Sequence, residues 1–224
     1  MAFQTSCVAG TAMGGLFCAP DIMADAGGRE LVQHGSALFP IACYAEDLES
    51  YSVAWHWHEE FEYILAAKGP LTVGVNKTRL LLQTGQGLFV NSGVLHAVEQ
   101  AEKGGAMLHS GVFHPRLVGG MDTIFWQKLI RPLLQPGAPA FLLLDGAELW
   151  QEQVLRNLEE TWQAVAQEPE DYENRVRYLL TGALHLVVAH CPARECKASQ
   201  QEQVASERMK QMLRFVEEHY AEEL

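Results

Sequence analysis

His56-Trp57-His58-Glu59-Glu60-Phe61-Glu62 is the stretch on which the reading of this chain turns. Side chains of a β-strand alternate between its two faces. In an extended run from Ser52 to Leu65, His56, His58, Glu60, Glu62 and Ile64 share one face. Trp55, Trp57, Phe61, Tyr63 and Leu65 share the other. A polar-lined face backed by a greasy one is the pattern of a barrel wall, not of an open sheet with a wet side. Further on, Gly85-Gln86-Gly87-Leu88-Phe89-Val90-Asn91-Ser92-Gly93-Val94-Leu95-His96 brings a third histidine back toward the same cavity. His56, His58, Glu62 and His96 together suit a divalent transition metal, and Zn, Mn, Fe or Ni would each accept them. The alternative is a polar lining that binds an organic molecule directly. Glu60, by parity, and Asn91, on the second segment, are candidate ligand contacts, although Glu60 also fits a solvated rim and Asn91 a turn. Trp55 and Trp57 are expected to pack under helices.

Outward from this core the pattern stays β from residue 29 to about residue 116. Leu38 to Tyr44, Leu71 to Val75, Arg79 to Leu82, Leu88 to Val90, Val94 to Val98 and Met107 to Phe113 read as short strands between Gly, Pro and Asn turns. Such a series predicts an antiparallel barrel or jelly roll. From Asp122 the period becomes helical. Asp122 is expected to cap a short helix carrying Phe125, Trp126, Leu129 and Leu133, which Pro132 kinks or stops. Phe141 to Leu144 reads as one more extended segment. Residues 148–167 and 171–191 each carry one apolar face at helical spacing. Residues 193–203 form a polar linker, and Ser206 is expected to cap a last helix with Met209, Met212, Leu213, Val216 and Tyr220 on one face.

Acidic side chains outnumber basic ones by 28 to 16, for a net charge of -12. No basic run occurs, so the chain lacks the clustered Lys and Arg that phosphate contacts require. Cys7, Cys18, Cys43, Cys191 and Cys196 are odd in number and contain no Cys-x-x-Cys pair, which indicates reduced thiols in a cytoplasmic protein. No apolar run is long enough to cross a membrane. Residues 1–28 are small, apolar and glycine-rich without the basic start of a secretory signal, and read as a loose leader.

The histidine segment resembles the first cupin motif: His-x-His, three residues, Glu, six residues, Gly, filled by His56, His58, Glu62 and Gly69. The second cupin motif is met in part, by Gly85, Gly93 and His96, with Asn91 where the motif has Pro and Gln100 where it has Asn. A wider likeness joins His34-Gly35 with Phe39-Pro40, the histidine segment, Gly87 to Ser92 with Leu95-His96, Phe113-His114-Pro115, and Ile130 to Leu134. Together these resemble the sensing domain of AraC-type transcriptional regulators. The segment Glu207 to Tyr220 is similar to the opening helix of that family's DNA-binding domain.

The resemblance implies an α+β chain. Residues 1–28 would be the leader, 29–145 an antiparallel cupin barrel that binds an effector, and 146–192 a helical dimerisation segment. Residues 193–224 would hold a linker and the first helix of a truncated helix-turn-helix domain. It further implies a small-molecule effector, with a sugar among the candidates, a homodimer, and DNA contact only through the missing domain. The rival reading is a metal-dependent cupin enzyme, an isomerase or dioxygenase, in which the same four ligands hold a metal with open positions. The helical pair, linker and last helix argue for the regulator, and hence for no catalytic residues.

Overall fold

The computed structural model describes residues 16–17, 23–190, 204, 208 and 210–212. Among the described residues ten strands form two sheets. The larger has the order β1 (Leu16–Phe17), β2 (Ile41–Asp47), β9 (Met107–Phe113), β4 (Phe61–Lys68), β7 (Gly87–Val90) and β10 (Phe141–Leu144). The smaller runs β3 (Val53–His56), β8 (His96–Gln100), β5 (Leu71–Val75) and β6 (Thr78–Leu82). All pairings are antiparallel except that of β1 with β2. Local sequence sets the corners. Asn76 adopts a left-handed conformation (φ 50°) in the two-residue turn that pairs Val75 with Thr78. Gly69 sits at φ 69°, where an added Cβ would come 2.7 Å from the Gly105 carbonyl oxygen.

Period-two alternation then sorts the side chains. Ile64, Leu88 and Val90 of the larger sheet meet Leu71, Val73 and Val98 of the smaller one in the interior. On the opposite face of the larger sheet, Ile41, Phe61, Tyr63 and Phe113 pack against two long helices. These are α2 (Leu149–Gln167) and α3 (Tyr172–His190), which cover that sheet with Val154, Leu158, Val165, Val176 and Leu180. The apolar helix faces are thus buried against the barrel and each other, and the outward faces are mainly polar. Trp162 Nε1 donates to the Tyr44 carbonyl at 2.8 Å, fixing α2 to β2.

Three expectations are corrected. Residues 52–65 do not form one strand. β3 ends at His56 in the smaller sheet, and β4 starts at Phe61 in the larger. Between them the Trp57 backbone pairs instead with the preceding segment: Trp57 N–H donates to Gly28 O and Glu30 N–H donates to Trp57 O, both at 2.9 Å. Neither Trp55 nor Trp57 lies under the helices. Trp55 is half-exposed on the outer face of the smaller sheet, with its ring over Gly74. Trp57 Nε1 donates to Gly27 O at 2.9 Å, and Lys210 Nζ lies 4.0 Å from its ring centroid. Lys210 also donates to Gly93 O at 2.9 Å.

Thr123, not Asp122, caps the short helical stretch: its Oγ1 accepts from Trp126 N–H at 3.2 Å. A hydroxyl three residues ahead of Trp126 reaches that amide. Helical residues 124–125 lead into a π-turn (Trp126–Ile130) and on into α1 (Arg131–Leu134); Arg131 N–H donates to Trp126 O, and Pro132, with no N–H to give, follows directly on this widened turn. The proposed cap Ser206, most of the last helix and the start of the leader lie outside the described residues, whereas residues 23–28 are held along Trp57 as just described. No helix among the described residues is long and apolar enough to cross a membrane.

Candidate metal and effector site

His56 at the end of β3 stands opposite His96 on β8. His58 follows in the connection, and Glu62 enters from β4, opposite Val90 and Val112. The four side chains come from both sheets, yet one ligand atom from each lies within 4.8 Å of all the others, and all four residues are buried. Donors about 2.0–2.2 Å from one ion are at most about 4.4 Å apart, so the set needs only a slight contraction.

The tautomers can be read from the backbone. His56 Nδ1 lies 2.9 Å from Ala54 O, His96 Nδ1 2.8 Å from Val94 O, and His58 Nδ1 3.3 Å from Glu60 O. A carbonyl only accepts, so each Nδ1 carries hydrogen, and a neutral ring then turns a bare Nε2 inward. Glu62 Oε2 is 2.7 Å from His96 Nε2 and 3.1 Å from His58 Nε2. Three lone pairs and a carboxylate oxygen face each other, an arrangement that calls for a cation or added protons at its centre. The donor set therefore fits a divalent transition metal, with outward N–H bonds orienting each ring. Burial holds His56 neutral, lowering it to about 3, and the neighbouring His96 acts in the same direction. Burial raises the Glu62 carboxyl, but His96 and His58 outweigh it and hold the group well below its ordinary value.

Glu30 and His34 complete one side of the site. Glu30 Oε2 lies 3.2 Å from His34 Nε2 and 3.9 Å from His56 Nε2, and His34 Nδ1 is 2.8 Å from the Tyr44 hydroxyl. Desolvation raises the Glu30 carboxyl; the hydrogen bond and charge of His34, with His56 and His58, turn the balance downward. Beside the histidines opens a cavity of about 150 Å³, whose walls include Glu30, His56, Glu62, Tyr44, Glu46 and Ser110. Among the described residues no Lys or Arg lines it. Glu46 is 7% exposed, accepts a hydrogen bond from Tyr51, and is pushed up to about 7 by burial, with Glu62 and Glu30 adding to the rise.

Two sequence candidates stand apart from this cavity. Glu60 gives its carbonyl to His58, and its carboxylate, 24% exposed, lies 3.9 Å from His58 Nδ1. Asn91 donates to Leu133 O at 2.6 Å and Pro139 O at 3.0 Å and accepts from Ser92 N–H, so it fastens the loop before β10. Conversely, sequence reasoning gave no site role to Glu30, His34, Tyr44 or Glu46. His34 stood in the wider likeness as His34-Gly35 without a site role, and its spacing of four from Glu30 was the signal for Glu30.

A family model, the AraC-like ligand binding domain, matches residues 38–171. The chain belongs to this family. It is similar to YdeC of Bacillus subtilis (strain 168), an uncharacterized HTH-type transcriptional regulator. The identity is 27% over 200 residues, covering 88% of this chain and 67% of that protein. Among solved structures it is similar to ToxT from Vibrio cholerae, with a TM-score of 0.51 and 6% identity over 72% of this chain. The chain spans 62% of the ToxT chain. A cupin-2 domain protein from Shewanella frigidimarina NCIMB 400 matches 32% of this chain and 68% of its own, at 19% identity and a TM-score of 0.29. The α+β architecture expected from the motifs, a cupin-like antiparallel barrel with helices, is the one observed.

Proposed function

We propose that this chain is the sensing part of an AraC-type transcriptional regulator. Its barrel would take a small polar effector next to a divalent transition metal held by His56, His58, Glu62 and His96. One observation carries the reading: the cavity of about 150 Å³ has His56 and Glu62 in its wall, so an effector there would touch the metal's own ligands. The metal would supply a Lewis-acidic contact for an effector oxygen or nitrogen. The protein's part is to hold three neutral imidazoles by their outward N–H bonds and to keep water out with buried walls.

The match to a regulator-type family favours sensing over catalysis, and no catalytic residue is assigned. The effector must prefer one arrangement of the chain, since equal binding to two arrangements shifts neither. The segment with Gly27, Gly28 and Glu30 and the tail with Lys210 both meet at Trp57, between two of the histidines, which gives such a preference a path to follow. We further read the outward side of α3, with Tyr178 78% exposed, as the seam of a homodimer. DNA binding would fall to a domain beyond this chain's described part.

Elemental analysis of untagged protein tests the reading. About one equivalent of Zn, Mn, Fe or Ni, lost in His58→Ala, supports it; protein without metal after growth and purification in metal-supplemented medium would refute the metal half.

A further inference from the structure

We propose that Glu46 anchors the ammonium group of the effector, and that the effector is a small aliphatic amine whose other end reaches His56 and Glu62. The inference rests on the sensing role proposed above and names the ligand class for that site.

Glu46 belongs to β2, where even-numbered side chains face the cavity and odd-numbered ones, Ile41 and Cys43, face the helices. It pairs in register with Leu108 of β9. Its carboxylate takes a hydrogen bond from Tyr51, while Oε2 has no hydrogen-bond partner among the described residues although the residue is buried. Buried polar atoms are nearly always paired, and an unpaired carboxylate oxygen on a cavity wall is a place prepared for a donor. Among the described residues no Lys or Arg reaches the cavity, so a ligand is the natural source of the donor.

Balance of charge selects the donor. Glu30, Glu46 and Glu62 all line the cavity; as carboxylates they only accept. Glu62 faces His58 and His96, and Glu30 faces His34, whereas Glu46 has no basic group beside it among the described residues. An ammonium offers three donors, no acceptor and the missing positive charge. A polyol brings as many acceptors as donors and no charge. The wall also carries Val53, Val98, Leu108 and Val112 beside the hydroxyls of Tyr44, Ser52 and Ser110, and this apolar share suits the methylene groups of an amine.

The test uses matched probes on the full chain: 3-amino-1-propanol against 1,3-propanediol, and 4-aminobutyrate against 4-hydroxybutyrate. Calorimetric titration of wild type and Glu46→Gln is run on samples of measured metal content. The amines are expected to bind wild type at least tenfold more tightly than their hydroxyl counterparts. Glu46→Gln is expected to erase that preference without changing metal content. Equal binding of amine and hydroxyl probes, no amine binding, or an amine preference that survives in Glu46→Gln would each overturn the proposal. The wild-type comparison stands even if the variant folds poorly. An amine preference in protein shown to lack metal would uphold Glu46 as the anchor while removing the metal from the site.

Discussion

His96 Nε2 and Glu62 Oε2 lie 2.7 Å apart although they come from different sheets, His96 from β8 and Glu62 from β4. The metal site, if filled, therefore ties the two halves of the barrel together, and its occupancy acts on global stability. A cation present at about a hundred times its dissociation constant adds about 2.7 kcal/mol. For a domain of this size each kcal/mol moves Tm by about 2–4 °C. Chelation should lower Tm by about 5–10 °C, and re-addition of the metal should restore it. In Glu62→Ala the chelator should have no effect on the melting curve. A wild-type curve indifferent to chelator would contradict this.

Glu46 should give the stability profile an unusual slope. Its folded value, about 7, stands above the 4.5 of an ordinary carboxyl. The folded state therefore binds more protons than the unfolded state between these values. Its contribution is complete below about pH 4.5 and is lost as pH rises through 7. The loss amounts to at most about 3 kcal/mol. Glu46→Gln, which cannot ionise, should be more stable than wild type at pH 8 by about 1–3 kcal/mol and equal to it near pH 5. Urea unfolding at the two pH values measures the difference. Such a gain would fit a residue kept for binding rather than for folding.

How much of this was legible in the sequence depends on distance along the chain. The convergence of His56, His58 and Glu62 was legible because a complete cupin motif carries them, and that of His96 because the partial second motif returns it to the same place. The strand-parity argument nevertheless reached it by the wrong geometry, since β3 and β4 lie in different sheets. The Trp57 backbone pairs with Gly28 and Glu30, and no local pattern encodes that partner. The same applies to Glu46: alternation on β2 places it inward, but its missing partner becomes evident only when the opposite wall is known. The helices were legible from their apolar period. That their apolar faces are used up against the larger sheet was not, because period says which face is buried and not against what.

Gly111 is required by its neighbour. It stands opposite Tyr63 in the β4–β9 register, and an added Cβ would lie 2.3 Å from the Tyr63 ring. Tyr63 is fully buried and cannot swing away. Gly111→Ala should cost about 1–3 kcal/mol through overpacking, possible to read as a fall in the urea midpoint at unchanged m-value. Stability equal to wild type would mean that the ring has room to shift.

Glu30 tests the reach of the segment that crosses Trp57. Its carboxylate contacts His34 and faces His56, but it is not among the four converging ligands. It lies near the inward Nε2 of His56, so its charge acts on a cation held there, and about 1.4–2.8 kcal/mol of that attraction is a factor of about 10–100 in affinity. Glu30→Gln should therefore retain the metal at saturating concentration but bind it about 10–100-fold more weakly in a competition titration. Loss of the metal altogether would make Glu30 a direct ligand, and unchanged affinity would remove it from the site.

The helical pair makes the last prediction. Along α2 the outward positions, among them Glu152, Arg156, Glu160 and Gln163, are charged or polar and suit water. Along α3 the outward side carries Asn174, Tyr178, Thr181 and His185, one turn apart and flanked by exposed Arg175 and Arg177, with Tyr178 the large apolar surface among them. Two copies related by a two-fold axis would bring each Tyr178 onto the other's helix, and a charge there would be buried against its own symmetry mate. Light scattering should give a dimer for wild type and a monomer for Tyr178→Glu, with metal content unchanged because the helix face lies on the far side of the larger sheet from the histidines. A wild-type monomer at high protein concentration would exclude the seam, and a Tyr178→Glu dimer would move it elsewhere.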